Sequence, residues 1–328
     1  MQKRTRCMGV VLVLAVLLVG TLTVSAQVQI TDCMSCHNDT TVITDKQTGL
    51  SEAVHGTGEA YVRGTRNSCA GCHSGGAFSK MIADGLAPNT VTEGDPNPSR
   101  QDCRTCHQVH TTYTAADWAL ETTAPVQLYA FTDKTYDGGK GNLCANCHQP
   151  RRTIAAPDPN DNIAVTSTHW GPHHGPQTAM LLGIGGAGEV TGRPSFHYGF
   201  VTDTCVTCHI GPDMVHTFEA VDSSCDECHD ENFDLDAKQA EVEAKITQLG
   251  DLLIAKGMLA PEKEFEINDE GVVEEVVVGY HPVVGGYPAA QAQALWNYIF
   301  IAIEDGSLGV HNPSYTKDLL DASIAALQ

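Results

Sequence analysis

The sequence predicts a mainly α fold with extensive irregular loops, ending in a helical C-terminal region. Three observations predict it. Cysteines recur in one short pattern through residues 27–230, the linkers between them are rich in Gly, Thr, Asp and Pro, and apolar residues at helical spacing gather only after residue 230. The chain has 31 Gly and 15 Pro, and its aromatic content is 6%. A core made of polypeptide alone would be thin for 328 residues, so apolar area must come from another source.

Residues 1–26 read as a secretory signal peptide. Lys3, Arg4 and Arg6 precede an apolar run from Val10 to Val19, and Val24, Ser25 and Ala26 supply the small residues of a cleavage site. The run is too short to span a bilayer comfortably, and Cys7 lies ahead of it, where no lipid-attachment signal would place it. The expectation is an exported chain, periplasmic or extracellular, with no membrane span in its mature part. Losing the three basic residues takes the formal charge of −21 to about −24. Such a chain repels nucleic acid and anionic lipid. The partners expected instead are redox proteins with basic faces or cationic metal species.

Of the thirteen cysteines, all but Cys7 fall into six copies of Cys-x-x-Cys-His. These are Cys33, Cys36 and His37; Cys69, Cys72 and His73; Cys103, Cys106 and His107; Cys144, Cys147 and His148; Cys205, Cys208 and His209; and Cys225, Cys228 and His229. The pattern is the attachment signal for haem c. Two thiols add across the vinyl groups of the porphyrin, and the adjacent histidine becomes the proximal iron ligand. Six covalently attached haems would supply the missing interior. Zinc sites do not need a histidine directly after every second cysteine, a redox dithiol needs one motif beside a βαβ unit, and no cysteine remains for a disulfide.

Haem iron takes two axial ligands, and nine histidines remain after the six in the motifs. The candidate distal ligands are His55, His110, His169, His173, His174, His197, His216 and His311. His110 follows His107 by three residues and so lies on the proximal side of that ring, from which it is expected to reach the iron of a neighbouring haem. His173 and His174 are adjacent, so in an extended segment their side chains point to opposite sides, and at least one of His169, His173 and His174 is expected to ligate. His281, in the haem-free tail, is the expected bystander. Met34, Met81, Met180 and Met214 are alternative axial ligands that no shortage of imidazole demands.

Residues 27–230 thus form a hexahaem-binding region with short helices around the motifs and little sheet, its spacing too irregular for a solenoid. Residues 231–328 form a helical region. Val242, Ile246, Leu249 and Leu253 are spaced for one helix, and Leu295, Trp296, Ile299, Phe300 and Ile303 for another. Asn312 and Pro313 open a third as N-cap and first residue, with the segment from Glu266 to Tyr280 a small hairpin or irregular arm. With His311 as a ligand, this tail folds back on the haems.

The six motifs, with "CRTCHQVHTTYTAADWAL", "NLCANCHQPR", "HWGPHHGPQ" and "WNYIF…EDGSLGVHNPSY", make the chain resemble the multihaem c-type cytochromes of dissimilatory metal-reducing and related bacteria. The resemblance runs over most of the mature chain. It implies a multihaem cytochrome c architecture organised around a chain of six closely packed haems. It also implies electron transfer in respiration to periplasmic or extracellular acceptors, by a carrier rather than an enzyme. Some relatives polymerise into haem wires in which a histidine of one subunit ligates a haem of the next. A homopolymer is therefore a further expectation, with the first motif, close behind the cleavage site, accepting such a histidine. The alternative is a reductase of the nitrite, hydroxylamine or tetrathionate type with one open iron. Arg193, His197 and Tyr198 would then line a substrate pocket, although all six proximal positions are histidine and spare donors are plentiful.

Overall fold

Val242, Ile246, Leu249 and Leu253 recur at three- and four-residue intervals, and the computed structural model has the helix they call for, Leu235–Ala255. The structure describes residue 37 and residues 43–230, 232–267 and 272–328. The signal peptide, Cys33, Cys36 and Met34 lie outside the described residues. Asp234 caps the long helix, its carboxylate accepting from the Ala237 N–H at 2.8 Å. A glycine ends it: Gly257 takes φ 68°, and the Gly257 and Met258 N–H groups return to the carbonyls of Ile254 and Leu253. This is a Schellman closure, available because glycine adopts the left-handed region without a Cβ penalty. The helical pattern of the sequence runs on to Leu259, but the turn makes that residue the start of a strand.

Two further helices complete the tail. Ala289–Tyr298 continues without a break into a π-helical segment, Ile299–Asp305. Pro313–Leu327 starts as its sequence requires, with Asn312 accepting from the Tyr315 N–H and proline in the first turn. The three helices pack around Leu249, Leu253, Leu295, Trp296, Phe300 and Leu320, all buried. The same cluster takes in Ile163 and Val165 from strand Asn162–Val165, which pairs antiparallel with Gly285–Pro288, and Met180 from helix Gln177–Leu182. The main core therefore belongs to the tail and to segments that dock on it.

The motif region has no core of comparable size. Its helices are short, among them Thr44–Glu52, Ala70–His73, Gly75–Ala83, Cys103–Cys106, Asn142–Ala145 and Cys205–His209. Two small clusters hold it, one of Val126, Leu128, Tyr136, Ala145 and Leu181, the other of Phe78, Met81 and Leu143 flanked by Cys106 and Cys147. The described residues are helix-rich, with three two-stranded antiparallel sheets, and no helix among them is long and apolar enough to cross a membrane. The largest sheet is a hairpin, Leu259–Ile267 against Val273–Pro282, longer than the arm expected from the sequence. Phe265 and Ile267 lie across from Glu275 and Val273 at the end away from Leu259 and Pro282, and Phe265 is 77% exposed.

Burial separates two phenylalanines sharply. Phe300→Ala, at 0% exposure, is expected to cost about 3–5 kcal/mol, whereas Phe265→Ala is expected to stay within about 0.5 kcal/mol; thermal unfolding followed by circular dichroism checks both.

Candidate functional site: six facing histidine pairs

Each of the five motifs within the described residues closes one helical turn. The N–H of the motif histidine donates to the carbonyl of the first cysteine at 3.0 Å for His73, 2.8 Å for His107, 2.9 Å for His148 and 2.9 Å for His229. In such a turn residues i, i+3 and i+4 share a face, so both thiols and the imidazole point the same way. The third motif adds a capping box. The Asp102 carboxylate accepts from the N–H groups of Arg104 and Thr105, and the Thr105 hydroxyl accepts from the Asp102 N–H.

Every motif histidine faces one histidine from elsewhere in the chain. His37 faces His110 with ring centres 6.1 Å apart, and His73 faces His173 at 6.2 Å. His107 faces His216 at 6.3 Å, and His148 faces His55 at 5.9 Å. His209 faces His311 at 6.2 Å, and His229 faces His197 at 6.3 Å. We number these pairs one to six by their motifs. His110 serves the first pair although it lies beside the third motif, as expected of a segment that joins two sites. His37 finds its partner within its own chain, so the first pair requires no histidine from a neighbouring molecule.

Most of these rings have the tautomer a metal ligand needs. Nδ1 lies 3.1 Å from the Ala60 carbonyl in His73, 2.8 Å from that of Trp118 in His107 and 2.8 Å from that of Phe218 in His209. Across the pairs, His216 Nδ1 bonds the Met214 carbonyl at 2.8 Å and His197 Nδ1 the Val310 carbonyl at 2.7 Å. His148 Nδ1 bonds Gln177 Oε1 at 3.1 Å, and His311 Nδ1 bonds Asp305 Oδ1 at 2.8 Å. These oxygens only accept, so Nδ1 donates and Nε2 keeps its lone pair. Burial pushes the pKa of His55 and of His173 down to about 4, leaving both neutral near pH 7. His311 differs: burial pulls its pKa down, but the charge of Asp305 and the bond to it hold it above the ordinary value.

Backbone strain gathers at the same places. His110 has φ 63°, His173 82° and Thr204, just ahead of the fifth motif, 40°. Apart from Asp161, every described non-glycine residue at positive φ lies within three residues of a motif or a paired histidine. Each such residue costs about 1–3 kcal/mol and persists where its surroundings over-determine it.

The first four pairs line one cavity of 1380 Å³, larger than the roughly 300–1,000 Å³ of an ordinary ligand pocket. Leu50, Phe78, Trp118, Tyr129 and Leu143 contribute its apolar wall. Neighbouring motifs touch. The Cys147 thiol donates to the Cys72 carbonyl at 3.8 Å and the Cys72 thiol to the Asn146 carbonyl at 3.7 Å, while Val206 and Ile210 bring the fifth motif to the wall of the same cavity. The Val221 N–H, on the way to the sixth motif, donates to the Cys208 carbonyl at 2.9 Å.

The donor set fits haem c. Two metal–imidazole bonds of about 2 Å, together with the distance from each nitrogen to its ring centre, need roughly 6 Å between ring centres. In the five described motifs paired thiols stand on the same turn as one imidazole of the pair, and apolar walls suit a macrocycle. A zinc centre needs several protein donors at one point, and no group of three or more His, Cys, Asp or Glu converges among the described residues.

The remaining candidates stand apart. His174 lies against His173, ring centres 5.2 Å apart, and neither His174 nor His169 faces a motif histidine in the six pairs. His281, on the hairpin, bonds only the next residue's carbonyl. Met81 and Met180 are buried, Met180 Sδ accepting from the Thr316 hydroxyl, and Met214 is exposed. Tyr198 is engaged structurally, its hydroxyl accepting from the Asp137 N–H, while the Arg193 carbonyl accepts from Asn312. Sequence reasoning missed the residues that orient the rings. Gln177 is 29 residues from His148 and Asp305 six residues from His311, and only the contacts reveal which ring each orients. Glu304, beside Asp305, has its carboxyl pushed up to about 7 by burial, against bonds from the His174 and His173 N–H groups.

With haem in place, His216→Ala is expected to convert one of six low-spin centres to high spin, read by low-temperature electron paramagnetic resonance, whereas His281→Ala and His169→Ala are expected to leave all six unchanged.

No family model, no curated protein and no solved structure matches this chain.

Proposed function

We propose that this protein is an exported electron carrier holding six covalent haems c, each with its iron between two imidazoles. The observation that carries the reading is the set of six pairs, one for every motif, all with ring centres 5.9–6.3 Å apart. Haem c supplies one-electron chemistry at iron. The chain's own residues do the rest. The motif cysteines Cys33 and Cys36, Cys69 and Cys72, Cys103 and Cys106, Cys144 and Cys147, Cys205 and Cys208, and Cys225 and Cys228 anchor the macrocycles. The proximal ligands are His37, His73, His107, His148, His209 and His229, and the distal ligands are His110, His173, His216, His55, His311 and His197 in the same order.

The acceptors bonded to Nδ1 fix ring orientation and raise ligand basicity. Because each motif histidine has a facing imidazole, both axial positions are taken, which supports conduction over catalysis at an open iron. The shared cavity and the touching motifs support close spacing of the first five sites. Exchange with redox proteins or extracellular metal acceptors follows from the acidic surface, which attracts cationic partners. A homopolymer acting as a longer wire would be held by surface contacts, since the first pair is complete within one chain.

Production in a host with c-type maturation machinery, followed by haem counting and low-temperature electron paramagnetic resonance, tests the reading. The expected result is six haems per chain, all low spin. A smaller haem count, or a high-spin signal in the intact oxidised protein, would overturn it.

A further inference from the structure

Charge is spread unevenly over the six pairs. The cavity beside the sixth is lined by Asp222, Asp226, Asp230, Asp234 and Asp236 together with His229. At the fifth, Asp305 is buried against His311. The second pair has the opposite surroundings. The Arg151 guanidinium lies 4.0 Å from Cys69 Sγ of the second motif, and its backbone N–H donates to the carbonyl of Pro172, next to His173. Arg152 follows directly. Arg63 stands in the 3-10 turn Ala60–Thr65, whose first carbonyl receives the His73 Nδ1 bond.

Three of the chain's nine arginines therefore gather on one pair. After burial and its bond to Ala60, His73 feels the charges of Arg151 and Arg63, and after burial His173 feels those of Arg151 and Arg152. No ion pair among the described residues engages any of the three arginines. Two carboxylates oppose them, Glu304 on the His173 side and Asp95, which accepts from the Ser74 hydroxyl beside His73 at 2.6 Å.

We propose that Arg63, Arg151 and Arg152 make the second site the highest-potential of the six, the place where electrons collect within the protein. The inference rests on the reading that the pairs hold haem. Reduction adds one electron and so one negative charge to a site, and fixed cations nearby favour the reduced form. The aspartates around the sixth site disfavour it there. The arginines act as positioning charges and touch no reacting atom.

Spectroelectrochemical titration of the full haem-loaded chain, with the electrode supplying electrons, tests this. Arg151→Gln and Arg152→Gln are each expected to lower the reduction constant of one-sixth of the absorbance change, at the high-potential end, by about tenfold, equivalent to about 59 mV for a one-electron couple. Arg151→Lys keeps the charge and is expected to restore the wild-type curve. Lys263→Gln, on the hairpin, is expected to change nothing. Should Arg151→Gln fail to fold, Arg63→Gln and Arg152→Gln, both at exposed positions, carry the same expectation. An unshifted high-potential end in the glutamine variants, or a shift confined to the low-potential end, overturns the inference while leaving the haem reading intact. A chain purified without covalent haem overturns that reading, and the inference with it.

Discussion

Two imidazoles facing each other across about 6 Å, with Nδ1 mostly tied to an acceptor, form the contact on which the rest depends. The motif region owns only two small apolar clusters, too little to offset the entropy of ordering so many loops. With haem bound as proposed, distant segments would be joined in pairs: His55 to His148, His73 to His173, His107 to His216. Joins of this kind act as cross-links do, limiting the unfolded chain most where the enclosed loop is long. The same joins account for the backbone strain. A left-handed conformation at His110 or His173 is tolerated where the position of the ring matters more than the comfort of the chain.

The tail takes part in the sites rather than merely following them. Its π-helical segment delivers Asp305 to His311 and presents the Glu304 and Asp305 carbonyls to Gln177, which in turn accepts from His148. π-Helical turns inside longer helices often mark functional positions, and here the wider turn brings one short segment to the fourth and fifth pairs together. The Val310 carbonyl fixes His197, and Asn312 ties the last helix to the carbonyls of Met180 and Arg193. The largest apolar core thus holds up the fourth, fifth and sixth pairs from one side.

Much of this was legible in the sequence, because it is local. A Cys-x-x-Cys-His turn places its own donors, Asn312 and Pro313 announce a helix start, and a three- and four-residue apolar stripe announces a helix. His110 was legible as the partner of another motif because three residues leave it on the wrong side of its own. The pairing itself was not legible. Whether His173 or His174 faces His73 depends on backbone turns at φ 82° and 21° that neither residue type announces, and the match of His55 with the fourth motif rather than the nearby second is a matter of topology. Gln177, Arg151 and Arg152 had no sequence signal, since each works at a histidine remote from it in the chain, and nothing in the residue types of Asp305 and Arg63 marks them as neighbours of His311 and His73.

The interleaving of the pairs also sets a calendar for assembly. A chain emerges from its N-terminus, and a pair is complete only when its later member has emerged. The second members arrive in the order His110, His148, His173, His216, His229 and His311, so the pairs close in the order first, fourth, second, third, sixth and fifth. Between the appearance of His107 and that of His216, the third motif must wait with half its ligand set, beside competing imidazoles that arrive sooner. The fifth closes last of all, on the tail, so the segment that completes the largest core also seals the last site.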